Sequence, residues 1–251
     1  MSQNESANAP LVAFIGAGPG DLGLVTSRAA TLLSRAQVVI VDDSVSREIV
    51  LHHADPEAEV VTVESTESGA VHLRKALAEK PELVVRLVAG EGASDPALAA
   101  ELAAVRKQNA EVELIPGVSP STAVPAYAGL VPTSDWAMHV VIDTGIVDEL
   151  EPLAKSAVAA DAPIVVRGIF SEVLSALDLL VRSGQPNDSH VVLAIRGTTV
   201  DQRTFRGILR GIRTKTKAFD ADAPAVAIVT AKEAIADENR WFDRRALFGW
   251  R

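Results

Sequence analysis

Apolar and polar positions alternate along the first half of the chain in a strand-helix-strand rhythm. Short continuous apolar runs end at glycine, acidic or other polar residues, as buried parallel strands do. Between the first two runs, apolar residues recur at helical spacing from Val25 to Ala36. The alternation predicts a parallel sheet with crossover helices. The predicted strands are 11–15, 38–41, 60–63, 83–88 and 112–115.

The second half repeats the pattern with a helix whose apolar residues lie on one side. This helix is predicted from Ser171 to Ser183 and is stopped by Gly184. The loop-like segment 129–135 follows a complete series of strands and helices, and we place the domain boundary there. Strands are predicted at 138–142, 164–166, 191–195 and 225–229.

The predicted fold class is therefore α/β, with two lobes that face each other. Each lobe is expected to hold a mainly parallel sheet flanked by helices. The predicted domains are a disordered leader at 1–10, an N-terminal lobe at 11–133, a C-terminal lobe at 134–242 and a tail at 243–251.

The amino-acid composition restricts the possible kinds of functional site more than it restricts the fold. The absence of cysteine excludes disulfides, zinc-thiolate sites and thiol nucleophiles, and the five histidines show no metal-ligand spacing, so no metal site is predicted. No apolar run approaches the roughly 18 residues of a membrane span, and the first ten residues lack the features of a signal peptide. We therefore expect a cytoplasmic protein without a membrane partner.

Charge is unevenly distributed along the chain. The net charge of −9 disfavours nucleic acid as a partner. The segment from Arg196 to Lys217 nevertheless holds seven basic residues and only one acidic residue, Asp201. Such a stretch is typical either of a binding face for an anionic ligand or of a solvated helix face, and the sequence leaves both open.

A glycine-rich turn, Gly16-Ala17-Gly18-Pro19-Gly20-Asp21, follows the first predicted strand. A dinucleotide fingerprint needs glycine where Asp21 stands, and Pro19 has no N–H to offer a pyrophosphate. Asp42, at the end of the second strand, still has about the spacing of a ribose-binding acid. The turn therefore argues against NAD without removing that alternative.

Several segments, in order, resemble the motifs of the tetrapyrrole methylases, most closely those of uroporphyrinogen III C-methyltransferases. The opening strand and turn are similar to the family's VGAGPGDPxLLT, and the strand ending in Asp42 is similar to its YD. Further matches are Val84-Val85-Arg86-Leu87 with VVRL, Pro116-Gly117-Val118-Ser119 with PGVTS, Ala126-Tyr127-Ala128-Gly129-Leu130 with AYAGI, and Gly197-Thr198 followed by Gln202 with GTxxxQ.

The resemblance implies a class III methyltransferase fold that binds S-adenosylmethionine between the two lobes, commonly in a homodimer. It also implies that Asp42 is the catalytic acid or base. Glu64, which stands where the family has a lysine, is the second candidate catalytic residue, because two carboxylates can do the work of a base if the pKa of one is raised. The cofactor-binding positions it implies are Gly18, Pro19, Ala89, Gly90, Glu91, Ser119, Pro120, Arg167, Gly197 and Thr198.

Several of these positions depart from the family pattern. The cofactor loop GGDP reads Ala89-Gly90-Glu91-Gly92, and Pro120 removes one backbone N–H. Arg167 replaces a methionine, and a buried arginine opposes a sulfonium unless it is paired or turned away. The segment 244–251 resembles the junction to a fused uroporphyrinogen III synthase, which predicts that the chain is one part of a longer protein.

Two hypotheses follow. The first is S-adenosylmethionine-dependent C-methylation of uroporphyrinogen III to precorrin-2, in the sirohaem and cobalamin branch of tetrapyrrole synthesis. The basic segment would then offset the charge of the anionic substrate. The alternative is a catalytically degenerate methylase-like domain that binds or scaffolds within a synthase fusion.

Overall fold

The chain divides into two compact units, Met1–Ser119 and Pro120–Arg251. The computed structural model describes residues 9–64, 69–93, 95, 97–130, 139–145, 149–216 and 219–230. The described residues form two five-stranded sheets, one in each unit. This confirms the predicted α/β class.

The first sheet is parallel throughout, with strand order β3-β2-β4-β1-β5. Its central strands are apolar on both sides because helices cover both faces: α1 and α2 pack on one, α3 and α4 on the other. The strands are β1 (Leu11–Gly16), β2 (Val38–Asp42), β3 (Glu59–Val63), β4 (Leu83–Val88) and β5 (Glu111–Ile115), and the helices are α1 (Ser27–Leu33), α2 (Arg47–His53), α3 (Ala70–Ala78) and α4 (Leu98–Arg106).

The strand order creates one special position in this sheet. After β1 the chain crosses to β2, toward the edge of the sheet formed by β3. After the neighbouring β4 it crosses to β5, which forms the opposite edge. The loops that leave these two strands therefore diverge to opposite faces. In open α/β sheets such a switch point, at the carboxyl ends of the strands, is where ligands bind.

The second sheet has strand order β6-β7-β10-β8-β9, with helix α5 on one face and α6, α7 and α8 on the other. The strands are β6 (Val140–Asp143), β7 (Ile164–Ile169), β8 (His190–Ile195), β9 (Arg203–Ile208) and β10 (Pro224–Thr230), and the helices are α5 (Pro120–Tyr127), α6 (Leu150–Ala159), α7 (Phe170–Arg182) and α8 (Leu209–Lys215).

The prediction of a mainly parallel second sheet was wrong. Only β6 and β7 pair in parallel, while β10 pairs antiparallel with β7 and β8, and β8 pairs antiparallel with β9. Both faces of this sheet are covered, so β7, β8 and β10 are continuous apolar runs that look like parallel strands in sequence. Strand β9 was not predicted, because arginines at Arg203 and Arg206 interrupt it, as suits a strand at a sheet edge.

Most other predicted elements agree with the structure within one or two residues. The five strands of the first unit and α7 are confirmed. The predicted boundary between residues 133 and 134 lies outside the described residues. Within the described part, α5 packs through Val124 against Val165, Val192 and Val226 of the second sheet, which is why the division falls before Pro120.

Two general properties bear on the function. Among the described residues, no helix has the length and apolar character needed to cross a membrane. In the same residues, no three histidine, aspartate or glutamate side chains lie close enough together to hold a metal ion.

Candidate functional site

The glycine turn and the second glycine loop meet at the switch point of the first sheet. Gly18 and Gly90 form an isolated antiparallel bridge, in which the Gly18 N–H donates to the Gly90 oxygen (2.9 Å) and the Gly90 N–H donates back (3.0 Å). Both residues have positive φ, 79° and 67°, a conformation that favours glycine. The structure thus brings together two predicted cofactor loops, 16–21 and 89–93.

A third loop packs against these two, backbone against backbone. A Cβ atom at Gly16 would lie 2.5 Å from the Glu91 carbonyl carbon and from the Gly117 nitrogen. A Cβ atom at Gly117 would lie 2.3 Å from the Gly90 oxygen. These glycines are required because the loops after β1, β4 and β5 approach more closely than any side chain allows.

Asp42 ends β2, next to β4 at the same carboxyl edge, and is only 5% exposed. Its Oδ1 lies 2.6 Å from Nη1 of Arg86, which is 1% exposed in the middle of β4. The Arg86 Nε donates at 2.9 Å to Oε2 of Glu101 on α4, and Glu101 Oε1 accepts the Gly69 N–H at 2.5 Å. We call Asp42, Arg86 and Glu101 the buried triad.

The buried triad carries two carboxylates and one guanidinium. Burial raises the pKa of Asp42 to about 6, although the charge of Arg86 pulls it down; Asp95 and Glu101 add to the rise. Burial works against the charged form of Arg86 as well, but its pKa is raised by Glu101 and Asp42. A carboxyl group with such a pKa can exchange a proton near neutral pH.

Glu64 follows β3, the neighbour of β2, and so lies at the same sheet edge as Asp42. Unlike Asp42, its side chain is exposed. The two predicted catalytic carboxylates therefore differ in environment, one buried beside an arginine and one in solvent.

In the second unit, Arg167 on β7 forms an ion pair with Asp143 at the end of β6. Its Nε donates to Asp143 Oδ2 at 2.7 Å, and the two side chains are 12% and 23% exposed. The sequence raised the question of whether this arginine would oppose a bound sulfonium. The pairing with Asp143 neutralises that charge.

Gly197 and Thr198 follow β8 at the same sheet edge as Arg167, because Arg167 and Ala194 both lie opposite Val226 of β10. A Cβ atom at Gly197 would lie 2.6 Å from the Val124 methyl groups of α5, so only glycine fits.

Thr198 is buried and has a φ of 68°, which is costly for a β-branched residue. Its N–H donates to Gln202 Oε1 at 2.7 Å, and Gln202 Nε2 donates to the Tyr127 oxygen at 3.4 Å. Gln202, matched in the family motif, is thus the side chain that holds this turn against the end of α5.

The remaining candidates lie in loops. Pro19 and Ala89 flank the two glycines that bridge at the switch point. Ser119 is the last residue of the first unit, and Pro120 is the first residue of α5. A proline at the first helical position has no need of its missing N–H for the helix ladder, so Pro120 favours the helix start there.

The basic segment is not one helix face. Arg203 and Arg206 lie on β9, while Arg213 lies on α8 and pairs with Asp178 at 2.5 Å. The Arg206 Nη2 donates at 2.7 Å to the Ala128 oxygen. Lys217 lies outside the described residues. Much of the positive charge is thus engaged within the second unit.

Sequence reasoning missed the roles of Arg86 and Glu101. A signal was present, because Arg86 is a charge inside the otherwise apolar run 83–88, and such residues are buried only with partners. Glu101 borders a cavity of about 150 Å³ whose wall includes Phe14, Leu98 and Leu114.

The residues of the first unit fit a sulfonium cofactor. Asp42 Oδ1 is buried and, within the described part of the chain, has no donor aimed at it in hydrogen-bond geometry. Glu91 and Asp95 add negative charge near the switch point. A positively charged sulfonium nucleoside without phosphate suits such a carboxylate-rich edge better than an anionic dinucleotide does.

Comparisons with known proteins agree on one family. Residues 11–212 match the family model of Tetrapyrrole (Corrin/Porphyrin) Methylases. The chain is 31% identical, over 87% of its length and 94% of the relative's, to the uroporphyrinogen-III C-methyltransferase of Methanocaldococcus jannaschii. It is also 31% identical over 92% of its length to the siroheme synthase of Tolumonas auensis, of which it spans 51%.

A solved structure supports the fold. The uroporphyrin-III C-methyl transferase from Thermus thermophilus, complexed with S-adenyl homocysteine, is similar with a TM-score of 0.68 and 23% identity. The similarity covers 87% of this chain and 91% of the other.

Proposed function

The chain belongs to the tetrapyrrole (corrin/porphyrin) methylases, and from this premise we propose that it C-methylates uroporphyrinogen III toward precorrin-2, using S-adenosylmethionine. The observation that carries the proposal is the 31% identity to a uroporphyrinogen-III C-methyltransferase along nearly the whole of both chains. The motifs that this chain keeps lie at the switch point of the first sheet, where its fold favours ligand binding.

In the proposed reaction the cofactor supplies the methyl group, and the protein supplies placement and proton transfer. The backbone of 16–21 and 89–93 lines the cofactor position, with Glu91 contributing negative charge. Methyl transfer to a pyrrole carbon would add a positive charge to the macrocycle, so a proton must then leave the macrocycle at another position, because the methylated carbon itself carries no hydrogen. Asp42 is the group suited to accept that proton, because its pKa of about 6 makes it mostly ionised yet basic near neutral pH.

The test is an anaerobic assay of the purified chain with S-adenosylmethionine and uroporphyrinogen III. We expect methylated product by mass spectrometry, with a turnover that falls as salt rises if basic side chains attract the anionic substrate. Asp42→Asn should lower turnover by about 100-fold or more, since general base catalysis contributes that much. Glu151→Gln, an exposed carboxylate in α6, is the control. Absence of product from the unsubstituted chain contradicts the proposal.

A second candidate function is a methylase-like binding domain without turnover. It is favoured by Glu64, which presents an exposed carboxylate where the family has lysine, so this position offers no cation to the substrate's carboxylates. The predicted homodimer and the predicted fusion to a uroporphyrinogen III synthase remain predictions under either function.

Calorimetric titration tests whether the chain keeps a cofactor site, and the turnover assay then separates the two candidates. A methyltransferase should release or absorb heat with both S-adenosylmethionine and its demethylated product, whereas a domain that has lost the cofactor site should give none. Glu64→Lys sharpens the comparison. If the acid at this position has suppressed turnover, the lysine variant should show a higher rate at an unchanged affinity for the cofactor.

A further inference from the structure

The buried triad joins three elements that are distant in sequence. Asp42 comes from the end of β2, Arg86 from the middle of β4 and Glu101 from the buried side of α4. Glu101 also holds the start of α3 through the Gly69 N–H. A Cβ atom at Gly69 would lie 2.7 Å from the Arg86 Nε, so α3 begins directly against the guanidinium.

The two carboxylates compete for one cation, and they are not equivalent. Glu101 takes a directed hydrogen bond from Nε and a second from Gly69. Asp42 Oδ1 lies 2.6 Å from Nη1, yet it lacks hydrogen-bond geometry with any donor of the described residues. Nη1 instead donates to the Leu87 oxygen at 3.3 Å. Glu101 therefore holds the guanidinium through a directed hydrogen bond, whereas Asp42 is held by the 2.6 Å ion pair to Nη1.

We infer that Arg86 and Glu101 are positioning residues, which hold the Asp42 carboxylate at the carboxyl end of β2 and keep it able to accept a proton. The inference rests on the proposed function for its role in methylation. Nothing in it requires Arg86 or Glu101 to touch substrate or cofactor. Their effect passes through Asp42 alone.

The charged groups that face Asp42 each raise or lower its pKa in a known direction. Arg86 on β4 favours the ionised form, while Glu101 on α4 and Asp95 in the loop before it favour the protonated form. From β3, the adjoining acid is the exposed Glu64, and from α3 the contribution is the Gly69 N–H to Glu101. Removing the cation and removing the second anion should therefore move the titration of Asp42 in opposite directions.

The experiment is a pH titration of the Asp42 carboxyl carbon by NMR in the full chain, compared among variants. For Glu101→Gln, which keeps the shape and an acceptor oxygen, we expect the Asp42 midpoint to fall by about one pH unit, because one like charge is gone. For Arg86→Lys we expect it to rise, since a lysine cannot satisfy both carboxylates from this position. Glu151→Gln is the matched loss of an exposed carboxylate and should leave the midpoint unchanged.

The titration needs no substrate, so it is independent of the methylation assay. Opposite shifts in the two variants support the inference, and the acid limb of the kcat/KM profile should then move with the NMR midpoint. Shifts in the same direction, or none in Glu101→Gln, overturn it. If the two variants show opposite shifts but the unsubstituted chain forms no methylated product, the proposed function fails while the positioning role stands. Should Arg86→Lys not fold, Glu101→Gln alone decides by the sign of its shift.

Discussion

Each unit places an arginine on a sheet strand beside an acid from a neighbouring strand, but the two arrangements differ in depth. Arg86 in the first unit is 1% exposed and contacts two carboxylates, whereas Arg167 in the second is 12% exposed and pairs with Asp143. Both are strand residues with a charge in an apolar run. Their surroundings determine what each charge does.

The difference follows from the cost of burying charge. A fully buried guanidinium must be compensated by partners, or it destabilises the fold by several kcal/mol. Two carboxylates more than neutralise Arg86, and burial raises the pKa of Asp42 to about 6, with smaller contributions to the rise from Asp95 and Glu101. Arg167 is less deeply buried, at 12% exposed, and its pair with Asp143 is expected to contribute less to stability. Burial thus makes the Asp42 carboxylate of the first pair a group that can bind a proton near neutral pH.

The largest expected effect is that of Arg86→Met. The substitution leaves two buried carboxylates without a cation and should lower the free energy of unfolding by about 3–5 kcal/mol at pH 7. Urea denaturation followed by circular dichroism measures it. A loss below about 1 kcal/mol would mean that the buried triad resembles a surface pair.

The second effect is a pH dependence of stability that comes from Asp42. Its folded-state pKa, about 6, lies above the ordinary value of 3.8, so the folded chain binds the proton more tightly than the unfolded chain does. Stability from this group is complete below about pH 4 and is lost as the pH rises to about 6, by about 3 kcal/mol. The unfolding free energy of the unsubstituted chain should fall relative to that of the Asp42→Asn variant as the pH rises from about 4 to about 6. If the difference in unfolding free energy between the two chains did not change with pH, the raised pKa of Asp42 would be contradicted.

The third effect tests how closely the triad is enclosed. Gly69 has a helical φ of −66°, so alanine there meets no backbone strain, but its Cβ would lie 2.8 Å from Glu101 Oε1. Gly69→Ala should destabilise the chain by about 1–3 kcal/mol. Gly211→Ala, in α8 with nothing within 4 Å of the new Cβ, is the control and should stabilise by up to about 1 kcal/mol. Equal effects at both positions would show that Gly69 is not confined by the triad.

The smallest effect is expected at the second arginine. Arg167→Met breaks the pair with Asp143 and should cost about 1 kcal/mol or less, because both side chains reach solvent. The measurement is the same urea denaturation. A loss as large as that of Arg86→Met would remove the contrast between the two units.

Several features of this molecule were predictable from local sequence. The strands of the first unit and helix α7 follow from apolar runs and helical spacing, which depend only on neighbouring residues. The glycine turn 16–21 was recognised as unlike a dinucleotide site from Pro19 and Asp21 alone. The family resemblance gave Asp42 its candidate role before its surroundings were known.

Other features depend on residues that meet only in the folded chain. Strands β7, β8 and β10 have the same apolar character in either direction, so their antiparallel pairing follows from the order in which they enter the sheet. Likewise, Asp42 and Glu64 are both acids after strands in sequence. Packing against β4 and α4 buried the first beside Arg86, and the sheet edge left the second in solvent. The spacing of apolar residues along the sequence predicts which side chains are buried. The partner of a buried charge is instead determined by contacts between segments that are distant in sequence.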